Sequence, residues 1–204
     1  MKSKGFTLIE MAVVLGIIAI LAAIMTPLVT SYIDQARITR ATADTSSIAK
    51  AYLLYYRDTG YWPIYNTSAL ASAGNPSMNC QVSGTAATMP STSNANWGTS
   101  QVNCTGANVA LIRSYLNVNS IGFATGNPAG GATSYRGPYL DGLDAKDPWN
   151  NAYVVNSKAL STNDQLHWAF AISAGPNGIL ESDPWQFHTT TVVTSGDDIV
   201  ALIR

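Results

Sequence analysis

The stretch Met1-Lys-Ser-Lys-Gly5-Phe-Thr-Leu-Ile-Glu10, running on through Met11-Ala-Val-Val-Leu-Gly-Ile-Ile-Ala-Ile20 to Pro27-Leu-Val29, decides how the rest of the chain is read. Between Glu10 and Asp34 lie 23 residues without a charge. An apolar run of that size suffices for a helix across a bilayer, which needs about 20 residues. Lys2 and Lys4 precede it, and the positive-inside bias places that end in the cytoplasm and exports the remainder. A secretory signal peptide fits less well. Its apolar region is shorter, about 7–15 residues, and ends in a small-residue cleavage site, whereas Thr26-Pro27-Leu28-Val29-Thr30 has no Ala-x-Ala. Glu10 is the larger objection, since a carboxylate deep in a bilayer costs about 2.5–3.5 kcal/mol and marks a functional residue.

Working outward, the 204 residues hold 11 basic and 12 acidic side chains, a net charge of −1. That balance excludes a nucleic-acid binder acting through a basic face, which needs excess cations to displace counterions, and no direct nucleic-acid partner is predicted. Hydrophobic residues at 47% exclude a disordered chain.

A short basic leader ending in Gly5, then Phe6-Thr-Leu-Ile-Glu10, then an apolar helix, resembles the processing site of the type IV pilin and pseudopilin superfamily. The resemblance implies that a membrane-embedded prepilin peptidase cuts between Gly5 and Phe6 and methylates the new Phe6 amine. Pro27 falls where that family has a helix-kinking proline. The resemblance further implies a homo-oligomeric helical filament, an inner-membrane assembly platform and minor pseudopilins or pilins as partners. Glu10 lies four residues from Phe6 on the same helical face. In a filament it can neutralise the Phe6 amine of a neighbouring subunit; alone, it can pair with its own amine or simply complement the helix N-terminus. Loss of Lys2 and Lys4 with the leader leaves 9 basic against 12 acidic side chains, so the mature side-chain charge is about −3.

No Gly or Pro interrupts Thr30 to Arg57, and Ile38, Ala41, Ala49, Tyr52, Leu53 and Tyr56 form an apolar stripe at roughly helical spacing. The expected helix runs from Phe6 to Arg57, about 78 Å long, and ends at Gly60 and Trp62-Pro63. Tyr52, Tyr55 and Tyr56 are read as packing residues. The predicted organisation is a leader over 1–5, a transmembrane or filament-core helix over 6–30, and a periplasmic or extracellular globular head over 31–204. Within the head the helix continues to about 57, a variable loop spans about 66–108, and a β region spans about 135–204. The predicted class is α+β, a long N-terminal α-helix packed against a small antiparallel β-sheet.

The 54 residues from Thr59 to Ile112 carry no charge, and Ser, Thr, Asn and Gly occupy 24 of the 43 positions from Asn66 to Asn108. This composition points to a solvated loop with turns and short strands. Cys80 and Cys104, the two cysteines, lie within it. On an exported domain an even count reads as a disulfide, and closing that loop contributes about 3 kcal/mol in the chain-entropy description. No Cys-x-x-Cys suggests redox or metal chemistry instead.

Further on, Ala110–Asn117 reads as a short helix, and Tyr139-Leu140, Ala152–Val155 and His167–Ile172 as strand pieces. Gly137-Pro138, Asp147–Asn150 and Gly175–Gly178 are turn signals between them. Gly137-Pro-Tyr-Leu, Lys146-Asp-Pro-Trp-Asn-Asn-Ala-Tyr153 and Ser173-Ala-Gly-Pro-Asn-Gly178 resemble the C-terminal half of the major pseudopilin of type II secretion systems, and Tyr55-Tyr-Arg-Asp-Thr-Gly-Tyr-Trp-Pro63 resembles its helix-ending stretch. The long middle segment departs from that family, whose head is shorter. The resemblance implies one calcium ion in the last loop. Carried over by position, Asn177 stands where the family has aspartate, Asp197 and Asp198 match its downstream pair, and the Ala174 carbonyl supplies a further oxygen. Calcium takes six to eight oxygens and accepts amide carbonyls as well as carboxylates. Asn in place of Asp removes one negative charge, and the longer spacing from Asn177 to Asp197 brings Glu181 and Asp183 into the same stretch. An Asn-Gly turn with a capping Asp pair is the plainer reading of the same residues.

Enzymatic chemistry finds no support. His167 sits in an apolar run as a structural histidine, His188 has no partner at metal spacing, and no nucleophile elbow or phosphate-cradling glycine loop occurs. The repeated Asp147-Pro-Trp and Asp183-Pro-Trp read as turns whose Trp covers the core. The expected protein is a filament subunit of the bacterial cytoplasmic (inner) membrane, single-pass with its head in the periplasm, its filament in the periplasm or at the cell surface. The favoured role is the major pseudopilin of a type II-like secretion system. The alternatives are the major pilin of a surface type IV pilus, serving adhesion, motility or DNA uptake, and a monomeric membrane-anchored calcium-binding or adhesive domain.

Overall fold

An unbroken series of helix-permitting residues carries one helix, α1 (Leu8–Thr59), in the computed structural model, which describes residues 5–64, 80–84, 89–97, 102, 104, 109–118, 134–143, 146–160, 164, 166–188 and 191–204. The chain divides into two compact units, residues 1–39 and 40–204.

The first unit is the front of α1. Its apolar side chains, among them Leu8, Ile9, Leu15, Ile24 and Val29, are exposed, and this is one helix long and apolar enough to cross a membrane. Pro27 sits inside it. The hydroxyls of this stretch are satisfied locally: Thr26 Oγ1 donates to the Ala22 carbonyl (2.8 Å), Thr30 Oγ1 to Pro27 (2.9 Å) and Ser31 Oγ to Leu28 (2.8 Å). Back-bonding of this kind removes the cost of taking a hydroxyl into hydrocarbon.

In the second unit α1 buries Ala41, Thr45, Ile48, Ala49, Ala51, Tyr52, Tyr55 and Thr59. The steps 41, 45, 48, 52, 55, 59 alternate four and three, the spacing of a narrow helical seam. The stripe expected from hydropathy is corrected here: Ala41, Ala49 and Tyr52 are buried, but Ile38, Leu53 and Tyr56 are exposed. Thr45 and Thr59 occupy the seam because each hydroxyl bonds a carbonyl one turn back, Ala41 (3.0 Å) and Tyr55 (2.8 Å). The helix stops where Gly60 takes φ +75° and its amide donates to the Tyr56 carbonyl (2.7 Å), a left-handed terminus that glycine adopts without steric cost.

A five-stranded sheet packs on this seam. Its strands are β1 (Cys80–Val82), β3 (Val109–Leu111), β4 (Val154–Val155), β5 (Phe170–Ser173) and β7 (Ile199–Leu202), in the order β3-β1-β4-β5-β7. Four strands, β1-β4-β5-β7, pair antiparallel as expected; β3 extends the sheet parallel to β1, so the sheet is mixed. A separate parallel pair joins β2 (Ser91–Thr92) to β6 (Ile179–Leu180). The short helix α2 (Ile112–Leu116) falls within the predicted Ala110–Asn117. Tyr139-Leu140 is not a strand; the pair lies in a bend, with the Tyr139 amide donating to the Leu116 carbonyl and the Leu140 amide to Asn117 Oδ1 (3.0 Å each).

Both faces of the sheet are covered. Val155 and Ala171 face the α1 side, in one core with Ile48, Tyr52, Tyr55, Leu116 and Tyr153. Val154, Phe170 and Ile172 face the other side, in a second core with Cys80, Val82, Trp97, Val102, Cys104 and Leu180. The middle segment supplies the short strands expected of it, β1 and β2, and Ser91–Ser93 are exposed, but its residues 80–83, Trp97, Val102 and Cys104 are buried, so this part of the uncharged segment closes over an apolar sheet face rather than lying in solvent. The Cys80–Cys104 disulfide lies inside this second core, Cα–Cα 5.2 Å.

Candidate functional site

Two places in the chain bring chemistry together. At the front, Thr7 and Glu10 form a reciprocal cap. Glu10 Oε2 accepts from the Thr7 amide (2.8 Å) and hydroxyl (2.7 Å), while Thr7 Oγ1 accepts from the Glu10 amide (3.3 Å). This is a capping box, in which a threonine and a glutamate three residues on satisfy the open amides of a helix start. Glu10 thus serves as the helix-start carboxylate, with only Oε2 engaged. Gly5 and Phe6 precede the helix and are exposed.

The second place is the loop system around β6. Strands β5 and β7 pair with Ser173 opposite Ile199. One step further that register sets Ala174 against Asp198, and the next sets Gly175 against Asp197. The approach is close: a Cβ on Gly175 would come within 2.3 Å of the Asp197 carbonyl oxygen, and Gly175 has φ +62°, so only glycine fits there. Asp197 Oδ2 accepts from the Asn177 amide (2.9 Å). Asp198 Oδ2 accepts from the amides of Glu181 (2.9 Å) and Ser182 (2.6 Å). The other oxygen of each aspartate, Oδ1, is buried without a hydrogen-bond partner. Burial pushes the Asp198 carboxyl up from its ordinary value, the hydrogen bonds from Ser182 and Glu181 draw it down, and the Glu181 charge adds to the rise. Among the described residues none of these carboxylates forms an ion pair with Lys or Arg.

Orphaned buried carboxylate oxygens are costly unless a proton, a donor or a cation meets them. Asp197 and Asp198 lie beside the Ala174–Gly178 backbone, whose carbonyls are further oxygen acceptors. Asn177 is partly committed: its Oδ1 accepts from the Ile179 amide (2.7 Å), and its Nδ2 donates to Glu181 Oε2 (3.2 Å). Among the described residues no three His, Cys, Asp or Glu side chains gather into a metal-holding group, so an ion here needs backbone carbonyls as well.

Glu181 and Asp183, two residues apart, take different partners. Asp183 Oδ1 accepts from Asn96 Nδ2 and from the Trp185 amide (2.9 Å each), which ties it to the middle segment and makes the turn expected of Asp183-Pro-Trp. Asp147 acts likewise, with Oδ1 accepting from the Trp149 (3.0 Å) and Asn151 (2.8 Å) amides, and Oδ2 from the Ser173 hydroxyl (2.7 Å). His167 is a buried structural residue, as read from the sequence. Its Nδ1 meets the Asp164 carboxylate at 2.9 and 3.0 Å and its ring stacks on Trp185 at 3.8 Å.

Residues 1–26 match the prokaryotic N-terminal methylation motif. Over its front part the chain is similar to type IV pilins and to a core protein of type II secretion. It is 40% identical over 80 residues to the type II secretion system core protein G of Pseudomonas aeruginosa, covering 39% of this chain and 56% of that one. It is 41% identical over 66 residues to the type IV major pilin protein PilE1 of Neisseria gonorrhoeae (32% and 40%) and to the fimbrial protein EcpC of Eikenella corrodens (32% and 43%). The matched stretch thus spans about two fifths of the pilins and just over half of core protein G. No solved structure matches the chain.

Proposed function

We propose that this chain is a structural filament subunit, the major pseudopilin of a type II-like protein secretion system, and not an enzyme. It is cut between Gly5 and Phe6 by a prepilin peptidase, methylated on Phe6, held in the inner membrane by the front of α1 with residues 31–204 in the periplasm, and stacked into a filament through that helix. Glu10 keeps the helix start capped through Oε2 and offers Oε1 to the Phe6 amine of the next subunit. Calcium held by Asp197, Asp198, Asn177 and the Ala174 carbonyl pins the last loop to the β5–β7 edge. The observation that carries this reading is the Asp197–Asp198 pair, Asp197 half-buried and Asp198 buried, each with one buried carboxylate oxygen lacking a partner, at the positions where the resemblance to the major pseudopilin puts calcium. The longer match to core protein G than to the pilins supports it.

The pilin matches favour a second reading, the major pilin of a surface pilus. Deleting the coding sequence in the host separates the two. The secretion reading expects exoproteins to accumulate inside the envelope while surface fibres persist, with rescue by the wild-type chain. Normal secretion together with loss of surface fibres overturns it in favour of the pilus.

A further inference from the structure

Asn177-Gly178 is the single Asn-Gly in the chain. It completes the turn Gly175-Pro176-Asn177-Gly178, closed by the Gly178 amide donating to the Gly175 carbonyl at 3.3 Å. Pro176 and Asn177 are exposed. An asparagine before glycine is an unusually reactive side-chain amide. The following peptide nitrogen can close a small ring on the side-chain carbon, and glycine puts no Cβ in its path.

Three contacts hold Asn177 in one arrangement. Its Oδ1 accepts from the Ile179 amide at 2.7 Å, which folds the side chain over the Asn177–Gly178 peptide as an Asx turn. Its Nδ2 donates to Glu181 Oε2 at 3.2 Å. Its backbone amide donates to Asp197 Oδ2 at 2.9 Å. A side chain wrapped in this way has already lost the rotamer freedom that ring closure must freeze out. The Ile179 N–H also meets the oxygen that turns negative when Cγ is attacked, which is how an oxyanion is stabilised. Gly178 has φ +70°, and its N–H gives up one long bond, to Gly175, when its proton leaves.

We infer that Asn177 is a self-modification site, whose side-chain amide the turn converts to a carboxylate, as aspartate or isoaspartate, with water as co-reactant. The Gly178 nitrogen loses its proton to water and bonds to Asn177 Cγ. The Cγ–Nδ2 bond breaks, and Nδ2 takes a proton from water and leaves as ammonia. One water then opens the cyclic imide. Opening at Cγ gives aspartate; opening at the main-chain carbonyl gives isoaspartate, whose backbone runs through Cβ. Nothing is oxidised or reduced. Either product replaces the amide that donated to Glu181 with a carboxylate, so an attraction becomes a repulsion. Glu181 acts as a positioning residue, holding the NH₂ end of the amide while Ile179 holds the oxygen. No bound ion is required.

The test uses the full-length chain in detergent and EDTA, incubated at mildly alkaline pH, beside the same chain unfolded in urea. Digestion and mass spectrometry read the conversion of Asn177, and an isoaspartyl methyltransferase with labelled S-adenosylmethionine reads the branched product. The folded wild type is expected to lose Asn177 severalfold faster than the unfolded chain, while Asn156, wholly buried, stays intact. Asn177→Gln, whose longer arm closes a ring poorly, should gain no carboxylate there. Glu181→Ala releases Nδ2 and should slow the folded chain toward the urea rate while leaving the urea rate unchanged. Glu181→Gln keeps an acceptor oxygen and should restore the fast rate. Conversion in the folded chain at or below the urea rate overturns the inference, because the turn then protects the amide. Equal folded rates in Glu181→Ala and wild type overturn the part given to Glu181.

Discussion

Replacing Trp97 tests whether the middle segment is core or covering loop. Its side chain is 1% exposed and packs in the core of Cys80, Val82, Phe170, Ile172 and Leu180. Its indole N–H donates to the Ser182 carbonyl at 2.8 Å. Trp97→Ala removes a large buried ring, a change that costs about 3–5 kcal/mol through lost transfer energy and the cavity left behind. It also strips a buried carbonyl of its donor. Trp97→Phe isolates that second effect, keeping much of the apolar volume and losing the N–H, for about 1–2 kcal/mol. In a chain of this size 1 kcal/mol moves the midpoint by about 2–4 °C, so Trp97→Ala should lower Tm by about 10 °C and Trp97→Phe by about 4 °C. The assay is thermal unfolding of the full chain in detergent, followed by far-ultraviolet circular dichroism. A change below about 1 kcal/mol for Trp97→Ala would refute the reasoning, because no fully buried tryptophan in a packed core is removed so cheaply.

Three further outcomes are expected. Asn156, wholly buried, donates to the carbonyls of Trp168 (2.8 Å) and Pro184 (2.7 Å) and accepts from the Phe170 amide (2.7 Å). Asn156→Ala should therefore destabilise by about 3 kcal/mol, read by denaturant titration. Cys80→Ser with Cys104→Ser should lower stability by about 3 kcal/mol, with the loss reproduced in the wild-type chain by adding reductant. Glu10→Ala should still insert and be cut, seen as a mass shift on processing, yet fail to enter fibres by microscopy; normal fibres would remove Glu10 from assembly.

Local signals were legible because neighbouring residues carry them. The apolar run after Glu10 announces a long helix, apolar enough to cross a membrane, from residue types and spacing alone, whereas the Thr7–Glu10 capping box, local as it is, comes only from the structure. Asp147-Pro-Trp and Asp183-Pro-Trp announce their turns for the same reason: each aspartate bonds an amide two residues on. Two cysteines leave one intramolecular pairing to make, and Cys80 and Cys104 make it.

What only the tertiary structure decided involves residues far apart or of the wrong polarity. The seam on α1 runs through Thr45 and Thr59, which hydropathy assigns to water, because their hydroxyls are satisfied inside the helix; Ile38 and Leu53, which hydropathy assigns to the core, stay outside. The stretches holding β4 and β5 read as strand, but the pairing partners of strands two to four residues long are not written in their alternation, so neither β3 beside β1 nor the burial of both sheet faces follows from pattern. The acidic loop is the clearest case. The resemblance singles out Asn177, Asp197, Asp198 and Ala174, with Glu181 and Asp183 in the same stretch, but only the fold shows that the β5–β7 register leads Ala174 toward Asp198, that Glu181 Oε2 fills the space beside the bare Cα of Gly196, and that Asp183 bonds Asn96. A sequence carries the donors; which of them meet depends on strand register and on the space that missing side chains leave.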